Sequence, residues 1–186
     1  MTAFLILVSQ SLYFMLPAYV ANMMPVIVSR VHFLEKPISL NKLGAHKTWR
    51  GIFFGILGAI VTIFIQVIFS PYTSMYGLDL LQYGELGGDG AGAIIFGSVF
   101  IGALFGGGAL LGDALKSFFK RKIGIAPGSS LPVIDQIDYV IGALVFTYPF
   151  FAPPIENIIT ILIISPVLTM AANIISFKLH LKKVWW

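Results

Sequence analysis

Between Gly112 and Asp138 the chain reads GDALKSFFKRKIGIAPGSSLPVIDQID. These twenty-seven residues hold three of the protein's eight acidic side chains and four of its twelve basic ones. On a helix, Asp113, Lys116, Ser117 and Lys120 fall at i, i+3, i+4 and i+7 and so share one face. Arg121 adjoins Lys120, a Pro127-Gly128 turn and Ser129-Ser130 follow, and Asp135 and Asp138 lie three apart. Carboxylates on both sides of a basic stretch suit a metal with phosphates. Mg2+ is commonly held by one or two carboxylates plus phosphate oxygens and water. The plainer alternative is a salt-bridge cluster that locks helices together. The residues alone leave both open.

The rest of the chain sets the context for this charge. Of 186 residues, 58% are hydrophobic and 11% charged, and the mean hydropathy is +0.91. A soluble domain is about one quarter charged. The expected class is therefore an all-α integral membrane protein, with residues 1–186 forming a single transmembrane domain. There is no cysteine, hence no disulfide framework and no thiolate metal site. His32, His46 and His180 form no ligand pattern. The first apolar run has neither a basic lead nor a small-residue cleavage site, and reads as a retained span.

A span needs about 20 apolar residues. Five segments qualify or nearly do: Ala3 to Val28, Gly51 to Phe69, Ala91 to Leu111, Tyr139 to Ala152 and Pro154 to Phe177. Pro17 and Pro25 should bend the first, and Pro166 interrupts the fifth. Every Lys and Arg falls in alternate connections: Arg30, Lys36, Lys42, Lys47 and Arg50; then Lys116, Lys120, Arg121 and Lys122; then Lys178, Lys182 and Lys183. The opposite connections are acidic, with Asp79, Glu85, Asp89 and Glu156. By the bias of basic residues, the N-terminus is expected outside and the C-terminus in the cytoplasm. Trp185-Trp186 suits the inner headgroup layer.

The fourth segment is short. Counting back about 20 residues from Pro153 reaches Val133, which brings Asp135 and Asp138 to the inner edge of the hydrocarbon. Charges there need a partner or a wet cavity, as does the irregular backbone around Pro127, Gly128 and Pro132. A polar cavity open to the cytoplasm is expected, walled by Asp135, Asp138 and the end of the third span. That span is glycine-rich, principally for close helix packing, with a kink or ligand approach at Gly106-Gly107-Gly108 as the second reading.

Other polar residues divide less sharply. Gly44 to Gly51 is not a Walker A loop, because the first Gly is misplaced and no strand precedes it. Lys47 and Arg50 are candidates for phosphate contact or simply flank the second span. Asn22 either caps a proline-freed carbonyl or reaches the cavity. Lys36, Lys42, Lys122 and the tail lysines read as topology signals.

The pattern Gly112-Asp113-x-x-Lys116-Ser117-x-x-Lys120-Arg121, then Pro127-Gly128 and Asp135-Gln136-x-Asp138, resembles the CTP:phosphatidate cytidylyltransferase superfamily. Its bacterial and eukaryotic members carry Glu, Arg and Ser where this chain has Lys116, Gln136 and Tyr139. Those departures and the five-span length are similar to the archaeal branch, the CDP-archaeol synthases. The Gly44–Gly51 loop and Asn22 also resemble that branch, more weakly.

The resemblance implies transfer of a cytidylyl group from CTP to an isoprenoid ether lipid phosphate, 2,3-bis-O-(geranylgeranyl)-sn-glycerol 1-phosphate, releasing pyrophosphate. It implies Mg2+, with Asp113 and Asp135 as ligands and Asp138 as a further or indirect one. Lys116, Lys120 and Arg121 would contact phosphates, helped by Lys47, Arg50 and Ser117, while Pro127 and Gly128 belong to a nucleotide-contacting loop and Asn22 to the cavity wall. Expected partners are CTP, the lipid phosphate and the bilayer of the cell membrane, with no nucleic acid; a homodimer is open. The site would face the cytoplasm. Competing functions are another membrane lipid transferase, a small ion-coupled transporter and a noncatalytic membrane subunit. A transporter would place ionisable groups deep in several spans, which this chain does not.

Overall fold

The computed structural model describes residues 2–44, 47–78, 91–126, 129, 131, 133–181 and 184. His46, Asp79, Glu85, Asp89, Pro127, Gly128, Ser130, Pro132, Lys182, Lys183, Trp185 and Trp186 lie outside them. Five α-helices carry the fold: α1 (Thr2–Ile27), α2 (Trp49–Thr73), α3 (Ala91–Lys122), α4 (Ile134–Thr147) and α5 (Ile155–Lys178). Short 3-10 turns at Val28–Arg30 and Ser74–Tyr76 extend the ends of α1 and α2. No β-strand occurs among the described residues, only an isolated bridge between Pro37 and Thr48.

Helices α1, α2, α3 and α5 are long and apolar enough to cross a bilayer. The chain is thus a multi-pass membrane protein. Two expected boundaries change. The third span, expected to stop near Leu111, continues to Lys122 as one helix of 32 residues, about 48 Å long. Nothing breaks it before Gly124, whose φ is +79°. Lys120, Arg121 and Lys122 in its last turn also suit the negative end of the helix dipole. The fourth helix begins at Ile134, as the count from Pro153 requires, but ends at Thr147 after 14 residues. That is about 21 Å, short of the ~30 Å hydrocarbon thickness. Pro153 disfavours helix in the residue before it, and the chain reaches α5 through non-helical backbone.

The middle of the bundle is α3, which packs along α2 on one side and α4 on the other, with α1 across all three and α5 against α1 and α4. Phe14 and Phe105 meet edge to face in the core, ring centroids 5.2 Å apart. Polar pairs tie the helices at successive levels: Ser11 to Asn157 at 3.1 Å, Tyr19 to Ser165 at 2.9 Å and Tyr139 to Thr169 at 2.9 Å. Such bonds contribute on the order of 0.6 kcal/mol each in a membrane protein. Pro17 cannot donate to the carbonyl of Tyr13, four residues back. Gln66 of α2 supplies the missing donor, its Nε2 lying 2.6 Å from that oxygen. The proline therefore remains inside a continuous helix.

The α3–α4 contact sets the site. Gly108 and Gly112, one turn apart, face Gly142 of α4. A β-carbon at 108 would come within 2.7 Å of the Gly142 carbonyl oxygen, and one at 112 would strike the carbonyl oxygen of Asp138. Small residues let helix backbones touch in this way. Gly107, by contrast, has nothing within 4 Å of a notional β-carbon. Of the triple, Gly106 packs against α2 and Gly108 against α4, and α3 runs through all three as one helix.

Candidate active site

Because Gly112 lies against Asp138, its neighbour Asp113 is brought to the start of α4. Lys116, one turn further along α3, then reaches three carboxylates. Its Nζ is 3.1 Å from Asp113 Oδ1, 3.2 Å from Asp135 Oδ1 and 2.7 Å from Asp138 Oδ2. Lys120 follows at the next turn and holds both oxygens of Asp135, at 3.1 and 3.0 Å, and the main-chain carbonyl of Ser129 at 2.6 Å. The main-chain N–H of Leu131 donates to Asp135 Oδ2 at 2.7 Å. Lys120 and Asp135 thus tie Ser129 and Leu131 to the ends of α3 and α4.

The sixth charged side chain arrives from the α1–α2 connection. Main-chain bonds from Ile38 to Lys47 (2.8 Å), Trp49 to Lys36 (3.2 Å) and Arg50 to Leu34 (2.8 Å) fold this segment back on itself. Thr48 caps α2, its hydroxyl accepting from the Gly51 N–H at 3.2 Å. This folded segment aims Lys47 at Asp113, with which it pairs directly.

Six charged side chains from three regions therefore meet at one end of the bundle. Their exposure runs from 6% for Asp138 to 24% for Lys47, so the charges are largely withdrawn from water. Three carboxylates face three ammonium groups. Removing one partner from such a buried set costs about 3–5 kcal/mol, because the other is left uncompensated.

The remaining candidates fall elsewhere. Arg50 turns away from the cluster, to the carbonyl of Val31 at 2.5 Å and the Glu35 carboxylate at 3.8 Å. Arg121 closes the turn after α3 by donating to the Ile125 carbonyl, and its buried Nε has no partner among the described residues. The Ser117 hydroxyl donates back along its own helix to the Asp113 carbonyl at 2.9 Å. Asn22 is half-buried on α1, three residues beyond Tyr19, whose ring meets that of Tyr139. Pro127 and Gly128 lie outside the described residues. Two contributors are not among the candidate site residues of the sequence: Glu35, which pairs with Arg50 across the folded connection, and Tyr139, which enters there only as a departure from the superfamily pattern and ties α4 to Thr169 of α5.

A metal can be weighed against this geometry. The donors are hard carboxylate oxygens, the class that Mg2+ takes. Oxygens from Asp113, Asp135 and Asp138 all lie within 3.2 Å of one cationic point. That point is the Lys116 ammonium, and among the described residues no three acidic or imidazole groups form a metal cage as they stand. The donor atoms are thus of the class that Mg2+ takes, and the Lys116 ammonium stands where they converge.

Residues 4–186 match the family model described as CarS-like CDP-archaeol synthase. Among curated relatives, the CDP-archaeol synthase of Methanococcus maripaludis (strain C7) is 37% identical over 98% of each chain. That of Methanocaldococcus jannaschii is 35% identical over 95% of this chain and 96% of its own, and that of Methanococcoides burtonii 34% over 92% and 100%. A solved structure described as an intramembrane enzyme for archaeal membrane lipid biosynthesis superposes with a TM-score of 0.61. It covers 88% of this chain and 92% of its own at 24% identity, and so shares the fold. With a family match over nearly its whole length and full-length relatives above 30% identity, the chain belongs to the CDP-archaeol synthase family.

Proposed function

We infer that this chain is a CTP-dependent cytidylyltransferase of archaeal lipid synthesis, and that the charged cluster where α3 meets α4 is its active site. A phosphate oxygen of the isoprenoid ether lipid phosphate attacks the α-phosphorus of CTP. The bond from that phosphorus to the α,β-bridging oxygen breaks, and pyrophosphate leaves. The nucleophile is already anionic, so no general base is needed. The obstacle is the approach of one polyanion to another, and catalysis reduces mainly to positioning and charge stabilisation.

Lys47, Lys116 and Lys120 are the side chains able to meet that charge, since each stands at the cluster on a flexible stem. Arg50 holds the Val31 carbonyl and Arg121 the Ile125 carbonyl, and each comes to the phosphates only by releasing it. Asp113, Asp135 and Asp138 would hold Mg2+, which when bound neutralises phosphate charge and stabilises the leaving pyrophosphate. The three carboxylates also hold the lysines upright.

The observation that carries the reading is the sharing of one cationic point by carboxylates from α3 and α4, in a chain of this family. The bias of Lys and Arg supports an active site facing the cytoplasm of the cell membrane. CTP would arrive from water and the lipid tails would remain in the bilayer. A direct test uses the purified chain, Mg2+, a geranylgeranyl ether phosphate and each of the four nucleoside triphosphates in turn. Pyrophosphate release with CTP alone, and only with the lipid present, is expected. Equal release with all four, or release without lipid, would overturn the reading.

A further inference from the structure

Lys116 occupies the point on which the three carboxylates converge. Its Nζ is no more than 3.2 Å from an oxygen of each. An ammonium group has three donors and no acceptor, and here three carboxylates surround it. Asp138 Oδ2, the nearest at 2.7 Å, is buried and receives no aligned hydrogen bond from any described residue. Charge rather than direction holds that contact.

The charge balance carries the point further. Asp113, Asp135 and Asp138 are matched by Lys47, Lys116 and Lys120. A divalent cation entering this balanced, mostly buried cluster adds two positive charges with nothing to offset them. It also meets the ammonium at its own ligands, and like charges this close repel strongly where water is scarce. A metal that arrives with a triphosphate brings excess negative charge instead. The Lys116 ammonium then has phosphate oxygens to move to, and its four-carbon stem allows the move.

We propose that Lys116 is a resident stand-in for the metal: it holds the three carboxylates together and yields their oxygens to a divalent cation only when a polyphosphate accompanies it. This rests on the divalent-metal reading given above. It makes Lys116 the residue that couples metal binding to nucleotide binding, beyond its contact with phosphate. The coupling is reciprocal, since two ligands that favour the same arrangement raise each other's affinity equally.

The test is Mn2+ binding to the full-length chain in detergent, read by the loss of the free-ion electron paramagnetic resonance signal, with no nucleotide present. Lys116→Gln and Lys116→Met should bind Mn2+ at least ten-fold more tightly than the wild type. Lys116→Arg, which keeps the charge, should stay as weak as the wild type. Adding Asp113→Asn to Lys116→Gln should remove the gain and so assign the ion to this cluster. The wild type also tests the inference without relying on how the variants fold: millimolar Mn2+ alone should leave its thermal unfolding midpoint unchanged. A wild type that binds Mn2+ alone as tightly as Lys116→Gln, or is stabilised by it in an Asp113-dependent way, overturns the inference and leaves the metal reading intact. Absence of Asp113-dependent binding in every variant, with CTP as well as without, overturns the metal reading and this inference with it.

Discussion

Gly112 on α3 lies against the main-chain carbonyl of Asp138 on α4, with no room for a β-carbon between them. The approach of these two residues brings Asp113 and Lys116 to Asp135 and Asp138. Gly112→Ala must push the helices apart. A misplacement of about 1 Å at a reacting centre can cost on the order of 100-fold in rate, and a loss of that size in kcat is expected. Gly107→Ala is the control, because a β-carbon there meets nothing within 4 Å. It should retain activity and, with the higher helix propensity of alanine, gain up to about 1 kcal/mol. Comparable losses in both variants would mean that the α3–α4 approach does not set the site.

Asp113 pairs with Lys47 and Lys116, and Asp135 with Lys116 and Lys120. Asp113→Asn or Asp135→Asn keeps the shape of the side chain and removes its charge. Turnover should fall by two orders of magnitude or more, the scale of losing one preorganised electrostatic group. Helical circular dichroism should be unchanged. Near-normal kcat in either variant would take that residue out of the chemistry.

Lys120 is buried, joins Asp135 and also holds the Ser129 carbonyl. Lys120→Ala should raise the KM for CTP and also loosen the α3–α4 connection. A modest stability loss is expected, because Asp135 keeps Lys116 and the Leu131 N–H as partners but loses its second ammonium, together with faster proteolysis near Ser129. An unchanged KM with lowered stability would make Lys120 a clamp only.

Far from the site, Gln66 supplies the hydrogen bond that Pro17 denies to Tyr13. Gln66→Leu leaves that carbonyl unpaired inside the bundle, which costs about 1–3 kcal/mol. The thermal midpoint in detergent should fall while kcat per folded molecule holds. A parallel loss of kcat would mean that this pair communicates with the cluster.

Much of this was legible in the sequence because two signals are strong. Apolar length marks the long helices, and the i, i+3, i+4, i+7 spacing puts Asp113, Lys116 and Lys120 on one face wherever the helix ends. The count back from Pro153 reaches Val133, one residue before α4, the helix that carries Asp135 and Asp138, begins at Ile134. The end of α3 was harder to read: the expected stop at Leu111 follows hydropathy, whereas a helix that leaves the hydrocarbon continues until something breaks it, here Gly124. The folded α1–α2 connection is held by main-chain bonds, which no side-chain pattern reports. The separate fates of Lys47 and Arg50, and the pairing of Arg50 with Glu35, are therefore visible only in three dimensions. Spacing also offers metal ligation and salt bridging as alternatives; the structure draws the salt bridges and converges the carboxylates on a single cation.

The central claim is that this cluster joins the α-phosphorus of CTP to a lipid phosphate. The most direct measurement follows label from α-32P-labelled and γ-32P-labelled CTP in reactions of the purified chain with a geranylgeranyl ether phosphate. The account predicts that α-label enters the lipid phase, that γ-label leaves as pyrophosphate, and that Asp113→Asn does neither. α-Label that stays in the aqueous phase while lipid is consumed, or γ-label that enters the lipid, would contradict it.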